Sequence, residues 1–226
     1  MQAVFLAAGR GTRLQPLTNH VPKAMIRIDG KNLIEHNISK LPKEINEILL
    51  VVNYLSKQII NHFGDSFSGR KIKYIKQEKL LGTGHALHQC KDRLKGKFLV
   101  LMGDDIYHAN DIKKSLKNKR TILTKEIKKE FTGGRITLNK EGDLDKIIEG
   151  QHKHKINLVN TGLYVLDKHF FKYKLVKLKN KNEYGLPQTM VEMAKDYPVK
   201  IERAYEWMQI NDINGLKKAK KLIRHN

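Results

Sequence analysis

Short apolar runs alternate with segments of helical spacing along the first half of the chain. The runs are rich in β-branched or aromatic residues and end at polar residues, which is typical of buried strands. They occupy residues 3–7, 48–52, 72–75 and 98–102. Helical spacing occurs between them, at residues 32–41, 56–63 and 84–94. This alternation predicts right-handed strand–helix–strand crossovers and a largely parallel sheet.

Strands follow one another more directly in the second half. Apolar or alternating segments predict them at residues 121–124, 135–138, 144–148 and 158–166. Glycine-containing turns predict hairpins at residues 132–134 and 141–143. Helical spacing returns near the end, at residues 186–194 and 213–223. No linker rich in proline, glycine or serine divides the sequence, so the pattern predicts one mixed α/β domain with an antiparallel-rich second half.

The charge balance changes the picture by indicating an anionic ligand. The 226 residues include 44 lysines and arginines against 23 aspartates and glutamates, which gives a formal charge of +21. Nucleic acid, an acidic membrane surface and phosphorylated metabolites would all suit such an excess. Aromatic residues are only 7% of the chain and no nucleic-acid-binding motif occurs, so no specific nucleic-acid site is expected. Lysine clusters are interpreted as solvent-exposed at residues 113–129, 168–181 and 217–224.

Cysteine content and the length of the apolar runs exclude other classes. A single cysteine, Cys90, excludes an internal disulfide and a cysteine-based zinc site. The longest apolar runs, at residues 3–8 and 48–52, are much shorter than the roughly 20 residues of a membrane span. The first run also lacks the preceding basic residue and the length of a signal peptide. We therefore expect a cytoplasmic protein with no membrane span.

A loop of small residues follows the first predicted strand, with the sequence Leu6-Ala7-Ala8-Gly9-Arg10-Gly11-Thr12-Arg13-Leu14. Nucleotides bind at such loops in α/β proteins because backbone amides approach phosphate oxygens there. Leu14 stands where a dinucleotide-binding motif has its third glycine, and no P-loop motif occurs. Further along, Lys23 follows Pro22, whose fixed backbone constrains it. Two cations on one phosphate chain would neutralise the charge of a leaving group.

Together, Gly9-x-Gly11-Thr12-Arg13 and Pro22-Lys23 resemble the signature of sugar-1-phosphate nucleotidylyltransferases, also called sugar-nucleotide pyrophosphorylases. The resemblance continues to about residue 215 and is nearest to the uridylyltransferases of N-acetylglucosamine 1-phosphate and glucose 1-phosphate. It implies a single Rossmann-like (GT-A-like) domain over residues 1–226, with a mixed, mostly parallel central sheet flanked by helices. Residues 1–115 would bind the nucleotide, 116–215 the sugar phosphate, and 216–226 would end in a basic helix. The sequence lacks the β-helix acetyltransferase domain of many such enzymes, so acetyl transfer is not expected.

The resemblance also implies a nucleotide site. The segment Gln77…Leu81-Gly82-Thr83-Gly84-His85-Ala86 is similar to one in which Gln77 and Gly82 contact the base and Thr83 lies near the nucleotide. The same residues would also suit a helix start. The segment favours UTP, with dTTP, CTP and GTP left open. The implied nucleotide-binding residues are Leu6, Ala7, Ala8, Gly9, Gly11, Thr12, Arg13, Gln77, Gly82, Thr83 and Gly103.

Two carboxylates follow the predicted strand at 98–102, in Gly103-Asp104-Asp105. Ligands bind at the carboxyl ends of parallel strands, and carboxylate oxygens suit Mg²⁺. Adjacent strand residues point in opposite directions, so at most one aspartate would face a metal. The resemblance assigns Asp104 to Mg²⁺ and gives Asp105 a structural role. The second ligand would come from Trp207-Met208-Gln209-Ile210-Asn211-Asp212, where Asn211 is preferred over Gln209 and Asp212.

The sugar side is implied by motifs of the second half. Gly134-Arg135-Ile136, Glu149-Gly150 and Asn160-Thr161-Gly162 recur in the family's order, and the implied sugar-binding residues are Gly134, Glu149, Asn160 and Thr161. Without the resemblance, Gly-Arg-Ile suggests a turn into a strand, and Asn-Thr-Gly suggests a hairpin or a strand kink. Glu183-Tyr184-Gly185-Leu186 also resembles a sugar-side segment, but Pro187-Gln188 departs from the acidic pair expected there.

The implied reaction is attack by a sugar 1-phosphate on the α-phosphorus of a nucleoside triphosphate, with pyrophosphate leaving. The nucleophile is already anionic, so catalysis would rest on positioning and charge neutralisation without a general base. Arg13, Lys23 and Asp104 are the implied catalytic residues, and Mg²⁺ is the implied cofactor. Two alternatives stay open: a nucleotide-sugar sensor that has lost turnover, and a nucleic-acid-binding basic protein. The sequence does not predict an oligomeric state.

Overall fold

Strands and helices alternate through the first half of the computed structural model, and strands dominate the second half. The structure describes residues 1–153, 156–179 and 181–224, so residues 225 and 226 of the predicted basic end lie outside the described residues. The strands are β1 (Gln2–Leu6), β2 (Arg27–Ile28), β3 (Lys31–Asn32), β4 (Glu47–Val52), β5 (Ser66–Phe67), β6 (Arg70–Lys76), β7 (Lys97–Met102), β8 (Asp105–Tyr107), β9 (Thr121–Ile127), β10 (Phe131–Leu138), β11 (Leu144–His152), β12 (Asn157–Asp167), β13 (Val176–Lys177), β14 (Tyr184–Gly185), β15 (Lys200–Arg203) and β16 (Trp207–Gln209). The α-helices are α1 (Leu33–Ile38), α2 (Ser56–Phe63), α3 (Gly82–His88), α4 (Ala109–Ser115), α5 (Leu186–Ala194) and α6 (Ile213–Arg224). Short 3₁₀ segments occupy Thr12–Leu14, Leu17–Asn19, Lys23–Met25 and Lys168–Lys172.

A mixed central sheet has the strand order β11-β10-β12-β7-β1-β4-β6-β5, with β9 paired to both β12 and β15. Strands β4 and β7 lie on either side of β1 and run parallel to it, and β6 is parallel to β4. These are the four strands that the short apolar runs predict. The pairings of β12 with β7, β9 and β10 are antiparallel. The predicted α/β fold, with a parallel centre and an antiparallel-rich second half, is confirmed.

Alternation along the parallel strands produces a core on each face of the sheet, because neighbouring strand residues point to opposite faces. Ala3 and Phe5 of β1 belong to a core shared with α1, α2 and α4. Val4 and Leu6 belong to a second core, shared with α3 and α5. Helices therefore cover both faces of the sheet, as predicted. Within the described residues, no helix is long and apolar enough to span a membrane.

Some predicted boundaries and one predicted turn are wrong. The turn expected at 132–134 lies inside β10, because Gly133 and Gly134 pair across the sheet with Gly150 and Glu149 of β11. The turn at 141–143 does join β10 to β11 as predicted. Helix α1 ends earlier than predicted, because the Lys40 and Leu41 amides form turn hydrogen bonds to carbonyls three residues before them. Helix α3 begins and ends earlier than the predicted 84–94.

Pairings between segments distant in sequence account for elements that the sequence pattern does not predict. Strand β8 pairs with β16, where Trp207 stands opposite Tyr107. A small third core accompanies this pair and buries Leu14 with Ile106 and Ile210. It thereby joins the segment after β1, strand β8 and the segment before α6.

Candidate active site

A cavity of about 1200 Å³ lies at the carboxyl ends of β1, β6 and β7. This edge of a parallel sheet is where α/β proteins bind ligands. The predicted site residues on its wall are Leu6, Ala7, Ala8, Gly9, Gly11, Thr12, Arg13, Lys23, Gln77, Gly82, Thr83, Asp104, Glu149 and Asn211. Those that do not lie on the wall are Gly103, Gly134, Asn160 and Thr161. The structure thus brings most of the predicted site residues to one cavity.

The loop after β1 brings Lys23 directly against Gly11. Gly11 has a φ of 66°, in the left-handed region that favours glycine. A Cβ at this position would lie 2.8 Å from the Cβ of Lys23 and 3.1 Å from Cγ2 of Thr18. The Thr18 hydroxyl also fixes the loop by donating to the Gly11 carbonyl at 2.9 Å. Glycine at position 11 therefore permits both the turn and the close approach of Lys23.

Four polar side chains converge on the cavity beside this loop. The Lys23 side chain is only 8% exposed and forms an ion pair with Asp104, which is 33% exposed. The Lys23 ammonium also donates to Oδ1 of Asn211 at 3.5 Å. Arg13 Nη2 donates to the same oxygen at 3.1 Å. Two cationic side chains and two side chains with acceptor oxygens thus meet, although they come from the beginning, the middle and the end of the sequence.

Asp105 anchors the segment that carries Asn211. Its carboxylate accepts hydrogen bonds from Trp207 Nε1 at 3.1 Å and from the Ile210 amide at 3.3 Å. Burial raises the pKa of the Asp105 carboxyl well above its ordinary value, and the adjacent charge of Asp104 raises it further. The adjacent aspartates therefore have different surroundings: Asp104, in the turn after β7, lines the cavity, and Asp105, at the start of β8, ties β16 and the residues after it to this edge of the sheet.

Asp104 and Asn211 form a donor set that fits a divalent cation. Both contribute oxygen atoms, and both accept from the ammonium of Lys23, so their oxygens converge on one positive charge. Mg²⁺ in nucleotide sites usually takes one or two protein oxygens, while phosphate and water supply the remaining ligands. The side chains present therefore suit a magnesium ion bound together with a phosphate.

The two alternative metal ligands lie away from this convergence. Gln209 stands opposite Asp105 in the β8–β16 pair and is exposed. The carboxylate of Asp212 accepts from the Gly215 amide at 2.7 Å at the beginning of α6. Neither residue lies on the cavity wall, whereas Asn211 does. The geometry therefore favours Asn211 among the three.

The segment after β6 folds back so that Gln77 meets the start of α3. Gln77 Nε2 donates to the Gly82 carbonyl at 3.1 Å and lies 3.1 Å from His85 Nδ1. Burial lowers the pKa of His85, which favours a neutral ring able to accept this hydrogen bond. Gly82 has a φ of 90°, and a Cβ there would lie only 2.6 Å from the Tyr184 carbonyl oxygen. Hairpin β13–β14 therefore packs directly onto this wall of the cavity.

Glu149 is the predicted sugar-binding residue that reaches the wall. Its carboxylate accepts from Gln188 Nε2 at 2.9 Å, and both side chains line the cavity. Gly134 stands directly behind it, where a Cβ would lie 3.1 Å from Glu149 Oε1. Gly103 also lies behind the wall, where a Cβ would lie 2.9 Å from the Cβ of Ala7. Neither glycine lies on the cavity wall, but the absence of a side chain at each position lets a wall residue pack closely against it.

Asn160 and Thr161 use their side chains inside the fold. Asn160 donates to the Tyr164 hydroxyl at 2.8 Å and accepts from the Gly162 amide at 2.9 Å. Thr161 is 1% exposed, and its hydroxyl donates to the Leu123 carbonyl at 2.8 Å. The register of β12 shifts between Asn160 and Tyr164, so the segment is a strand kink and not a hairpin. Neither side chain lies on the cavity wall, contrary to the expectation that both face the sugar.

Lys177, Lys179 and Lys181 are exposed, as the sequence predicts for their cluster, and they also line the cavity. They belong to the hairpin that begins with β13 and ends with β14. One sequence signal could have found them, since lysine occupies every second position directly before the Glu183-Tyr184-Gly185 segment. Gln188 is also on the wall, at the position where the sequence departs from the family pattern.

Two curated proteins are similar to most of the chain. The bifunctional protein GlmU of Methanocaldococcus jannaschii is 34% identical over 201 residues, which cover 88% of this chain and 48% of GlmU. The UTP–glucose-1-phosphate uridylyltransferase AglF of Haloferax volcanii is 34% identical over 199 residues, which cover 84% of this chain and 82% of AglF. The chain therefore spans about half the length of the curated GlmU relatives that it matches.

Solved structures share the fold. A Bacillus anthracis protein, provisionally named a glucose-1-phosphate thymidylyltransferase, superposes with a TM-score of 0.81 at 22% identity, covering 100% of this chain and 96% of that one. HddC from Yersinia pseudotuberculosis gives 0.75 at 22% identity, covering 98% and 99%. The family model described as nucleotidyl transferase matches residues 2–225, a span that contains every segment of the cavity. The chain therefore belongs to the nucleotidyl transferase family.

Proposed function

We propose that the chain transfers a nucleotidyl group from a nucleoside triphosphate to a sugar 1-phosphate, forming a nucleotide sugar and pyrophosphate. The observation that carries the proposal is the convergence of Arg13, Lys23, Asp104 and Asn211 on one cavity. The cavity, at about 1200 Å³, is large enough for two substrates side by side. The family and the named activity of AglF support the same reaction.

The chemistry is a substitution at the α-phosphorus. An oxygen of the sugar phosphate forms the new bond to this phosphorus as the bond to the bridging oxygen of the β-phosphate breaks. The electron pair of the broken bond leaves on pyrophosphate, so charge moves away from the reaction centre. The nucleophile is already anionic at neutral pH and needs no general base. Catalysis therefore rests on positioning the two anions and neutralising their charge.

Arg13 and Lys23 supply that neutralisation in the proposal. Arg13 binds the β- and γ-phosphates and stabilises pyrophosphate as it leaves. Lys23, paired with Asp104 in the structure, exchanges this carboxylate for oxygens of the α-phosphate and the sugar phosphate. Asp104 and Asn211 would hold Mg²⁺, which when bound would stabilise negative charge on the reacting phosphates. Because Lys23 is nearly buried, its charge acts where water screens it little.

The remaining wall residues position the two substrates. Backbone groups of the loop after β1 approach the phosphates, while Gln77, Gly82 and Thr83 contact the nucleotide. We favour UTP because the sequence of this segment resembles uridylyltransferases and because AglF is named for UTP. Glu149, held by Gln188, accepts hydrogen bonds from hydroxyl groups of the sugar.

Pyrophosphate release tests the proposal directly. UTP, dTTP, CTP, GTP and ATP are each crossed with a panel of neutral and acidic sugar 1-phosphates in the presence of Mg²⁺. We expect release that requires both substrates, is fastest with UTP, stops with EDTA and returns when Mg²⁺ is added in excess. Nucleotide binding without release for any pair would contradict the proposal and favour a nucleotide-sugar sensor. Release without an acceptor would instead indicate hydrolysis of the triphosphate.

A further inference from the structure

A second group of cations lines the cavity, on elements separate from the loop after β1. Lys177, Lys179 and Lys181 come from the hairpin formed by β13 and β14 and the residues between them. All three side chains are exposed, and all three contribute to the cavity wall. Lys177 ends β13, and Lys179 and Lys181 lie in the turn region that follows it, where the Lys181 amide donates to the Leu178 carbonyl at 3.4 Å. They therefore present a concentrated positive charge to whatever the cavity binds.

The hairpin is held in place by hydrogen bonds on both sides. Within it, the Leu178 amide donates to the Glu183 carbonyl at 2.8 Å. The Tyr184 amide donates to the Leu81 carbonyl at 2.7 Å, just before α3. The Val176 amide donates to the Thr189 hydroxyl at 3.0 Å, inside α5. The lysines thus belong to a hairpin whose backbone is hydrogen-bonded to its neighbours beside Gly82 and Gln188, and this packing holds the hairpin on the cavity wall.

The positive charge of these lysines is not neutralised by neighbouring carboxylates. Among the residues that the structure describes, none of the three lysines takes part in an ion pair. Glu183 and Glu149 are the acidic side chains on the wall near the hairpin. The carboxylate of Glu149 already accepts from Gln188. These ammonium groups therefore place like charges on one wall of the cavity, and an anion bound beside them would offset the repulsion between those charges.

The triphosphate and the sugar phosphate already have their own cations. Arg10, Arg13 and Lys23 line the cavity at the loop after β1 and at the segment that follows it. The hairpin contacts α5, next to Gln188 and the Glu149 carboxylate that it holds, and it also contacts α3, whose Gly82 and Thr83 we place at the nucleotide. A neutral sugar offers hydroxyl groups there, which do not need three ammonium partners. The position and charge of the hairpin therefore call for a further anionic group on the substrate.

We propose that the acceptor is an acidic sugar 1-phosphate, which carries a second anionic group besides its 1-phosphate, and that Lys177, Lys179 and Lys181 bind this group. The inference rests on the proposed function and specifies its substrate class. A carboxylate, as in a uronic acid, and a second phosphate ester share the required chemistry. Both form charge-assisted hydrogen bonds with ammonium groups.

Pairs of neutral and acidic acceptors test the inference, and they also distinguish a carboxylate from a second phosphate as the anionic group. Pyrophosphate release is measured with glucose 1-phosphate, glucuronic acid 1-phosphate and glucose 1,6-bisphosphate, and with galactose 1-phosphate beside galacturonic acid 1-phosphate. The wild type should use at least one acidic acceptor with a kcat/KM roughly tenfold or more above its neutral partner, because charged hydrogen bonds contribute most to binding. The difference should lie mainly in KM and should shrink as salt is added.

A triple variant assigns the preference to the hairpin. In Lys177→Gln/Lys179→Gln/Lys181→Gln, the ratio of acidic to neutral kcat/KM should fall to about one, since Gln keeps polarity and length but loses the charge. The control is Lys113→Gln/Lys114→Gln/Lys117→Gln, which removes equal charge from exposed lysines of α4 and the turn after it. The control should retain the wild-type ratio. Circular dichroism and thermal unfolding verify that both variants fold.

The outcomes distinguish this inference from the proposed function. Equal use of neutral and acidic acceptors by the wild type overturns the inference and leaves the nucleotidyl transfer intact. A ratio that survives in the triple variant also overturns it, as does a triple variant whose KM rises for the nucleoside triphosphate instead of the acceptor. Silence with every acceptor and every nucleotide contradicts the proposed function itself, and the inference then fails with it.

Discussion

The two ends of the cavity are built in different ways. At the phosphate end, which we define as the loop after β1 with Lys23, Asp104 and Asn211, backbone and side chains are in close contact. A Cβ on Gly11 would lie 2.8 Å from the Cβ of Lys23, whose side chain is 8% exposed. At the acceptor end, which comprises Glu149, Gln188 and the lysines of the hairpin, the lysine side chains are exposed and Glu149 is held by a single hydrogen bond from Gln188.

The two ends should therefore differ in how well they tolerate amino-acid substitutions. Backbone and side chains are in steric contact at the phosphate end, so a displaced backbone atom there would move Lys23, the cation that the proposed mechanism uses. The acceptor end depends on exposed side chains, and their exchange leaves the backbone in place. We therefore expect chemistry to be fixed at the phosphate end and substrate choice to be adjustable at the acceptor end. Substitutions at the phosphate end should mainly lower kcat, and substitutions at the acceptor end should mainly raise KM for the acceptor.

Lys23→Ala is the substitution with the largest expected effect. It removes the nearly buried cation that contacts both phosphates in the proposed mechanism, so turnover should fall by roughly a thousandfold. Steady-state pyrophosphate release measures the loss, and circular dichroism verifies the fold. Lys200→Ala is the control, since Lys200 forms an ion pair of 2.9 Å with Asp143 and does not line the cavity. Near-normal turnover of Lys23→Ala would remove this residue from the mechanism.

Gly11→Ala tests whether close contact maintains the phosphate end. The new Cβ would overlap Lys23, and turnover should fall by roughly a hundredfold, as expected for a misplaced catalytic group. The left-handed backbone adds a loss of about 1–2 kcal/mol in the free energy of unfolding, measured with urea. Gly142→Ala is matched in backbone, with a φ of 78°, but has no atom within 4 Å of the new Cβ. It should lose stability and keep turnover. Equal loss of turnover in both variants would contradict the role of the contact.

Gln188→Leu should have the smallest effect and should change the acceptor end alone. Removing the hydrogen bond to Glu149 leaves its carboxylate free to reorient, so KM for the sugar phosphate should rise by roughly five- to tenfold with little change in kcat. Gln58→Leu is the control, because Gln58 Nε2 donates to the His20 carbonyl at 2.7 Å and does not line the cavity. An equal rise in KM for the nucleotide would argue against a role confined to the acceptor.

The sequence predicts the parallel centre of the fold because each strand there is a short, continuous apolar run. Residues 3–7 and 98–102 correspond to β1 and β7 almost to the residue. The sequence does not predict β8 or β16, because both are short and they pair across about a hundred intervening residues. It predicts a turn at 132–134 because glycines usually mark turns. In the folded chain those glycines face a glycine and Glu149 on the neighbouring strand.

The sequence likewise predicts one part of the candidate site from local motifs and leaves the other part to tertiary packing. Sequence motifs predict Arg13 and Lys23 in the segment after β1 and Asp104 directly after β7, and each of these places follows from a local strand and the residues behind it. The choice between Asn211 and its neighbours depends on the anchoring of this segment by Asp105, which no local pattern reveals. Thr161 is expected at the sugar, yet its hydroxyl bonds to the Leu123 carbonyl. Which face of a kinked strand meets the cavity is a property of tertiary packing.

Asp104 and Asp105 are consecutive residues, but their carboxylates lie in different surroundings and make different contacts. Asp104 pairs with Lys23 at the cavity, and Asp105 secures the segment that carries Asn211. Point mutations can alter these two functions separately. An insertion or deletion of one residue between β7 and β8 would displace both aspartates together, and it would thereby disturb the ion pair with Lys23 and the position of Asn211 at once. The length of this turn is therefore constrained by both contacts, whereas each aspartate is constrained by one.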